Sequence, residues 1–291
     1  MVIEIVHAMA AEPSAIKFIA EDLAPGDRKA LELDRRELQV TSVRSEADRR
    51  FALAYDALWA EFGAANEMES RTVILRRLTW HPAMALDAYW LRYELILVQH
   101  QERLAAVRDH TAIISRQPQP QAVVHLSHVL IDPAWRRTGL GGWLRAWPIQ
   151  TARAGLVAAG LPADSPITLV GEMEHPDATM PNRAIRLAAY EKAGFKKVAP
   201  DRVSYFQPDF RTPAEIDATG GPQPLPFGLV IRRIGREQEE SIGGAEVRQL
   251  VTSIYQMYAT GFRPQDMTQL WQSLQDYPPE SAEIPLVPVT R

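Results

Sequence analysis

Ile131-Asp132-Pro133-Ala134-Trp135-Arg136-Arg137-Thr138-Gly139-Leu140-Gly141-Gly142-Trp143-Leu144 decides how this chain is read. An apolar, β-prone run from His125 to Ile131 stops at Asp132-Pro133. A basic, glycine-rich turn follows, and then the start of a helix. That order builds an anion site, because the first amides of a helix have no partner inside it and carry the positive end of the macrodipole. Glycine lets the backbone approach a phosphate closely, and Arg136 and Arg137 add permanent charge beside it. The turn predicts a phosphate-bearing cofactor.

Two familiar phosphate loops fail on these letters. No lysine follows Gly142, so the P-loop is absent, and Leu144 stands where the dinucleotide fingerprint needs its third glycine. A nucleotide-binding oxidoreductase is therefore disfavoured. What matches is R-x-x-G-x-G, carried by Arg136, Gly139 and Gly141. A second segment, Asn182 to Val198, places Ile185 and Ala189 on one stripe of a short helix, with Gly194 as its C′ residue and Phe195 opening a strand. It contains Tyr-Glu-Lys-Ala-Gly-Phe from Tyr190 to Phe195. With the strand expected from Ile167 to Glu174 between them, the two segments resemble the GNAT superfamily of acetyl-CoA-dependent N-acetyltransferases. The resemblance covers roughly Tyr89 to Ile234.

It implies an α/β fold with a mixed, mostly antiparallel twisted sheet flanked by helices. It also implies a cofactor site in which Arg136, Arg137, Thr138, Gly139, Gly141 and Gly142 hold the pyrophosphate of acetyl-CoA, the co-substrate. Val129 and Ile131 would offer backbone groups to the pantetheine arm, with the Val129 amide at the thioester oxygen. Tyr190 would be the general acid at the sulfur. Glu172 is expected as the base, direct or through water, with Glu174 on the same strand face beside it; two like charges there would raise one carboxyl. Asn182 stands eight residues before Tyr190 where the family often has an asparagine seven before, so it is not assigned. Pro148 is a second departure, expected to bend the cofactor helix. The rival reading is a non-catalytic acyl-CoA-binding module of the same fold.

Composition narrows the class. The chain has 291 residues, 46% of them hydrophobic, and a net charge of −4. That balance argues against a nucleic-acid or anionic-membrane partner. No cysteine is present, which removes disulfides, thiolate metal sites and thiol nucleophiles. No metal is expected, no apolar run approaches the ~20 residues of a bilayer span, and a cytoplasmic location is expected. The acceptor is expected to be a small-molecule or peptide amine.

Outward from the glycine turn, three regions are expected: an N-terminal extension over residues 1–44, an acetyltransferase domain over 45–234 and a C-terminal helical extension with a tail over 235–291. A short strand at residues 2–6 and a helix at 13–21 are expected in the first. Phe51, Tyr55, Leu58 and Phe62 recur at helical spacing and read as core. A hairpin is expected to turn at Gln101-Glu102-Arg103. Val247, Leu250, Val251, Ile254 and Tyr255 form one helical face that would cover the core or make a homodimer contact. His125 and His128, three apart in a strand, are expected on opposite faces, where they cannot share a metal.

Overall fold

The structure is a computed structural model that describes residues 20–291 except Pro82 and Ala178. The strand expected at residues 2–6 and all but the end of the helix expected at 13–21 lie outside the described residues.

Eleven strands among the described residues form the sheet system: β1 (Leu38–Val43), β2 (Met84–Leu86), β3 (Tyr89–His100), β4 (Arg103–Ser115), β5 (Gln121–Ile131), β6 (Ile167–Met173), β7 (Lys196–Val198), β8 (Tyr205–Gln207), β9 (Leu225–Arg233), β10 (Ser241–Gly243) and β11 (Glu283–Val287). The helices are α1 (Arg50–Phe62), α2 (Arg71–Leu78), α3 (Leu140–Ala158), α4 (Pro181–Lys192), α5 (Pro213–Ala218), α6 (Gly244–Ala259) and α7 (Thr268–Ser273). The sheet order is β1-β3-β4-β5-β6-β9-β7-β11-β10, with β2 beside β3 and β8 beside β9. Among the described residues, β5 with β6 is the one parallel pair. This is the mixed, mostly antiparallel α/β fold that the resemblance implies.

The β3–β4 hairpin turns where expected, with Gln101 at φ 49° and Glu102 at φ 63°, the paired left-handed geometry of a tight turn that matches strand twist. One face of the sheet is covered by α1, α2 and α6, where Phe51, Tyr55, Leu58, Val251 and Ile254 share a core. Phe51 is fully buried, so Phe51→Ala would cost about 3–5 kcal/mol. The other face is covered by α3 and α4, and α3 is one continuous helix through Pro148.

The ends of the chain are woven into the sheet rather than appended to it. β1, within the expected N-terminal extension, pairs with β3. β11, in the expected tail, pairs with β7 and β10. The apolar face of α6 is buried in the core it shares with α1, which leaves that face no dimer role. Tyr205 of β8 stacks on Tyr255 of α6 within that core, and Tyr258 packs edge-on against His125.

Candidate active site

β5 and β6 pair from Ala122 with Ile167 to Leu126 with Gly171 and then part, although β5 runs on to Ile131. The parting coincides with a bulge. On β4, Asp109 and Thr111 are separated by one residue, yet their partners His128 and His125 on β5 are separated by two, Leu126 and Ser127. The extra residue flips the phase of the strand. His125 and His128 therefore share the face toward α1, α2 and α6, and the expectation of opposite faces is corrected. Beyond the bulge, the Asp132 amide bonds back to the Ala105 carbonyl at 3.0 Å. Two-residue alternation then turns the backbone groups of Ile131 and Val129 away from β4, toward the gap.

At the end of β5, the Asp132 carboxylate accepts from the Ala134 amide at 2.9 Å and caps a short turn at Pro133–Trp135. Arg136 Nε donates to the Ile131 carbonyl at 3.3 Å, and the Thr138 hydroxyl donates to the Trp135 carbonyl at 2.8 Å. Arg137 and Gly139 take φ of 64° and 101° and aim the chain into α3. The six residues expected at the pyrophosphate thus form one turn at the mouth of the gap.

Segment 20–31 lies over this turn. A Cβ on Gly139 would stand 2.5 Å from the Lys29 carbonyl oxygen, and one on Gly142 would stand 2.9 Å from the Asp27 side chain. Asp27 and Asp22 are buried and bind α3: Arg145 Nε donates to Asp27 at 3.0 Å, Arg153 to Asp22 at 2.7 and 2.8 Å, and Gln150 to Asp22 at 2.6 Å. On β4, opposite Val129, Arg108 is fully buried. Its Nε and Nη1 have no hydrogen-bond partner; its side chain is bonded to Tyr190, and burial pulls its pKa below the ordinary arginine value. An unsatisfied buried guanidinium is costly. Arg145 and Arg153, whose guanidinium groups already hold carboxylates, and the partly unpartnered Arg108 are donors that fit an anionic group.

Tyr190 is 5% exposed and packs edge-on against Phe195. Its ring edge lies 3.9 Å from where a Cβ on Gly171 would stand, on β6 where the gap opens. The helix ends as expected, with Gly194 at φ 80° and the Phe195 amide bonded to the Tyr190 carbonyl at 3.1 Å, a glycine C-cap.

Glu172 is on the opposite face. Its carboxylate accepts from His125 Nε2 at 3.0 Å, Gln207 Nε2 at 3.0 Å, the Tyr258 hydroxyl at 2.7 Å and the Tyr205 hydroxyl. Burial alone would push this carboxyl up, but His125, Tyr205 and Gln207 outweigh it and hold it at about 2. Glu172 is thus lowered, where like charge on the strand was expected to raise a carboxyl. Glu174 lies past the end of β6 and pairs with Arg186 and Arg183 of α4. The like-charge effect falls instead on Glu67, raised first by burial and then by Glu174. Nothing near Glu67 in sequence marks it; it reaches the site because α1 ends there and His128 Nε2 binds its carbonyl oxygen at 2.8 Å.

His125 also turns Nδ1 to the Ser127 hydroxyl at 3.1 Å. Ser127, at the bulge, is half-buried. Hydroxyl, imidazole and carboxylate therefore form one chain ending at the gap. His128 is separate: its Nδ1 and backbone amide reach Asp109 at 2.9 and 2.8 Å, and the Tyr93 hydroxyl donates to Asp109 at 2.9 Å. Burial opposes charge on His128, yet Asp109 raises it to about 9. Among the described residues, no group of three or more metal-ligating side chains is gathered, and no helix is long and apolar enough to cross a membrane.

No protein-family model matches this chain, and comparison with curated proteins finds no match. Among solved structures it is similar to a GNAT-family acetyltransferase from Streptococcus pneumoniae, at 13% identity over 68% of this chain and 100% of that one, with a TM-score of 0.35. It is similar to a GCN5-related N-acetyltransferase from Sphaerobacter thermophilus, at 20% identity over 56% of this chain and 44% of that one, with a TM-score of 0.34. It is also similar to an acetyl transferase from Salmonella typhimurium that modifies the N-terminal serine of a 50S ribosomal subunit protein, at 14% identity over 68% and 96% of the two chains, with a TM-score of 0.35. The fold rests on the strand order, the parting parallel pair and the glycine turn.

Proposed function

We propose that this chain is an acyltransferase that moves an acetyl group from acetyl-CoA to a primary amine, on a small molecule or on a peptide or protein. The observation that carries the reading is the gap between β5 and β6, with a glycine turn at its end and Tyr190 above Gly171. Bound acetyl-CoA would supply an activated acyl carbon. Arg136, Arg137, Thr138, Gly139, Gly141 and Gly142 would hold its pyrophosphate, and the backbone of Val129 and Ile131 its pantetheine arm. An amide such as that of Val129, aimed at developing negative charge on the acyl oxygen, is worth roughly 3 kcal/mol in a dry site.

Tyr190 would donate its phenolic proton to the leaving sulfur, the general-acid role that a positioned phenol can fill. Glu172 would supply the basic charge, acting through His125. Its oxygens are engaged by four donors, so an amine would meet the Ser127 hydroxyl instead. The amine proton passes to Ser127 Oγ as the Ser127 proton moves to His125 Nδ1, and the imidazolium is held by Glu172. Glu67 and Glu174, on the same side, would attract the cationic acceptor.

The test is release of free thiol from acetyl-CoA in the presence of an amine panel. The chain has no cysteine, so the protein adds no thiol background. Turnover that survives Tyr190→Phe and Ser127→Ala unchanged would remove this mechanism. Binding of CoA without turnover of any amine would favour the non-catalytic module, a reading that segment 20–31, lying across the turn, also supports.

A further inference from the structure

We propose that segment 20–31 is a displaceable plug: an internal occupant of the groove between α3 and α4 that competes with the phosphate-bearing acyl donor for the same space. The proposal rests on the cofactor reading above.

Steric fit comes first. The segment touches both walls. On the α3 side it fills the space beside Gly139 and Gly142; on the α4 side a Cβ on Gly26 would stand 2.2 Å from the Lys192 carbonyl oxygen, and Ala24 lies beside Gly194. The missing side chains at Gly139 and Gly142, which would let a pyrophosphate approach, are used here by the protein's own backbone. Peptide and ligand cannot occupy the turn together.

Charge is the second observation. Asp27 and Asp22 set carboxylates on Arg145 and Arg153, two α3 guanidinium groups eight residues apart on one helix face. A buried carboxylate is a natural surrogate for a phosphate at such a site, since both accept the same forked donor. An incoming phosphate would have to exchange these two pairs, taking the forked donors that the aspartates now occupy.

The third observation is that side chains, not backbone pairing, fasten the segment. It consists of two 3-10 turns, Ala20–Asp22 and Pro25–Leu31, and belongs to no strand pair. Among the described residues, its backbone bonds within residues 20–32 are local ones, closing Leu23 on Ala20, Asp27 on Ala24 and Glu32 on Lys29. Beyond the aspartates, it is held by the buried Leu23, Ala24 and Ala30 and by Arg232 Nη1 on the Asp22 carbonyl at 3.1 Å. With no strand ladder to break, opening requires exchange of the two aspartate–arginine pairs, which an incoming anion can bring about. Closure then lowers the apparent affinity for the donor by the fraction of molecules that are open.

A Cβ on Gly194 would lie 3.6 Å from the Cβ of Ala24, within the span of a disulfide. In a chain with no other cysteine, Ala24→Cys with Gly194→Cys locks the plug when oxidised and frees it when reduced. CoA affinity, read by calorimetry on the full chain, is expected to fall at least tenfold on oxidation and to return on reduction. Asp27→Asn, which loosens the plug without a crosslink, is expected to tighten CoA binding at least tenfold over the unaltered chain. Equal affinity in oxidised and reduced forms, or unchanged affinity in Asp27→Asn, overturns the plug while leaving the cofactor reading standing. Failure of every form, reduced and Asp27→Asn included, to bind CoA overturns the cofactor reading and the plug with it.

Discussion

Gly26 presses its Cα against the Lys192 carbonyl of α4 so closely that a methyl group there would stand 2.2 Å from the oxygen. Backbone cannot give way as a side chain can, so Gly26→Ala is expected to lift segment 20–31 from its seat. Arg28 and Lys29 are exposed and offer trypsin two cleavage points. The variant should be cut there several-fold faster than the unaltered chain, and saturating CoA should speed cutting of the unaltered chain as well. Equal cutting rates in all three would contradict both expectations.

Tyr190→Phe is expected to lower kcat by at least tenfold, within the usual reach of a general acid, with acetyl-CoA affinity little changed. Loss of the hydroxyl also removes a bond to buried Arg108, so the melting temperature should fall modestly. A fall in stability with normal turnover would make Tyr190 a packing residue.

Ser127 and Glu172 separate chemistry from folding. Ser127 is half-buried and its hydroxyl bonds to His125, so Ser127→Ala should cut kcat with little change in melting temperature. Glu172→Gln strands the Tyr205, Tyr258 and His125 donors around one lost charge, and should lower both stability and kcat. If the three residues act as one unit, the double variant should lose little more activity than the worse single one.

His128 with Asp109 makes a pH prediction. His128 is raised from 6.5 to about 9, so its stabilisation is fully present below pH 6.5 and is lost as pH rises to about 9, a change of about 3 kcal/mol at most. Asp109 is held at about 2 despite its burial, so at the acid end the same pair fails as pH falls from 3.8 toward 2. His128→Gln should flatten the alkaline limb of a melting-temperature profile measured from pH 6 to 9. An unaltered limb would assign that loss to other groups.

Much of the fold was legible because it is written locally. The glycine turn, the Gln101-Glu102 hairpin, the Phe51 stripe and the Gly194 cap each need only neighbouring residues. The errors share one cause, contacts between distant parts of the chain. Period-two alternation placed His125 and His128 on opposite faces; the Leu126-Ser127 bulge exists because β5 must pair with β4 on one side and leave β6 on the other. Glu-Ile-Pro-Leu-Val at Glu283–Val287 looks like a tail because proline breaks it, yet Pro285 takes its place in the register opposite Ser241. Three of the four donors to Glu172 come from β8 and α6, and Tyr258 is 86 residues away. Segment 20–31 has no periodicity to announce it, because charge and glycine contacts hold it.

The same distance sets a timetable. Domains fold as the chain emerges, N-terminal parts first, and β3 to β6 can assemble once Met173 has appeared. The Glu172 carboxylate would then still face water, because Tyr205, Gln207 and Tyr258, which enclose it, come later in the chain. Synthesis must pass α6 before that charge has its full set of donors. A ribosome that stalls between β6 and α6 would leave this sheet face and its apolar residues uncovered, the kind of exposed surface that makes partly folded chains prone to aggregate.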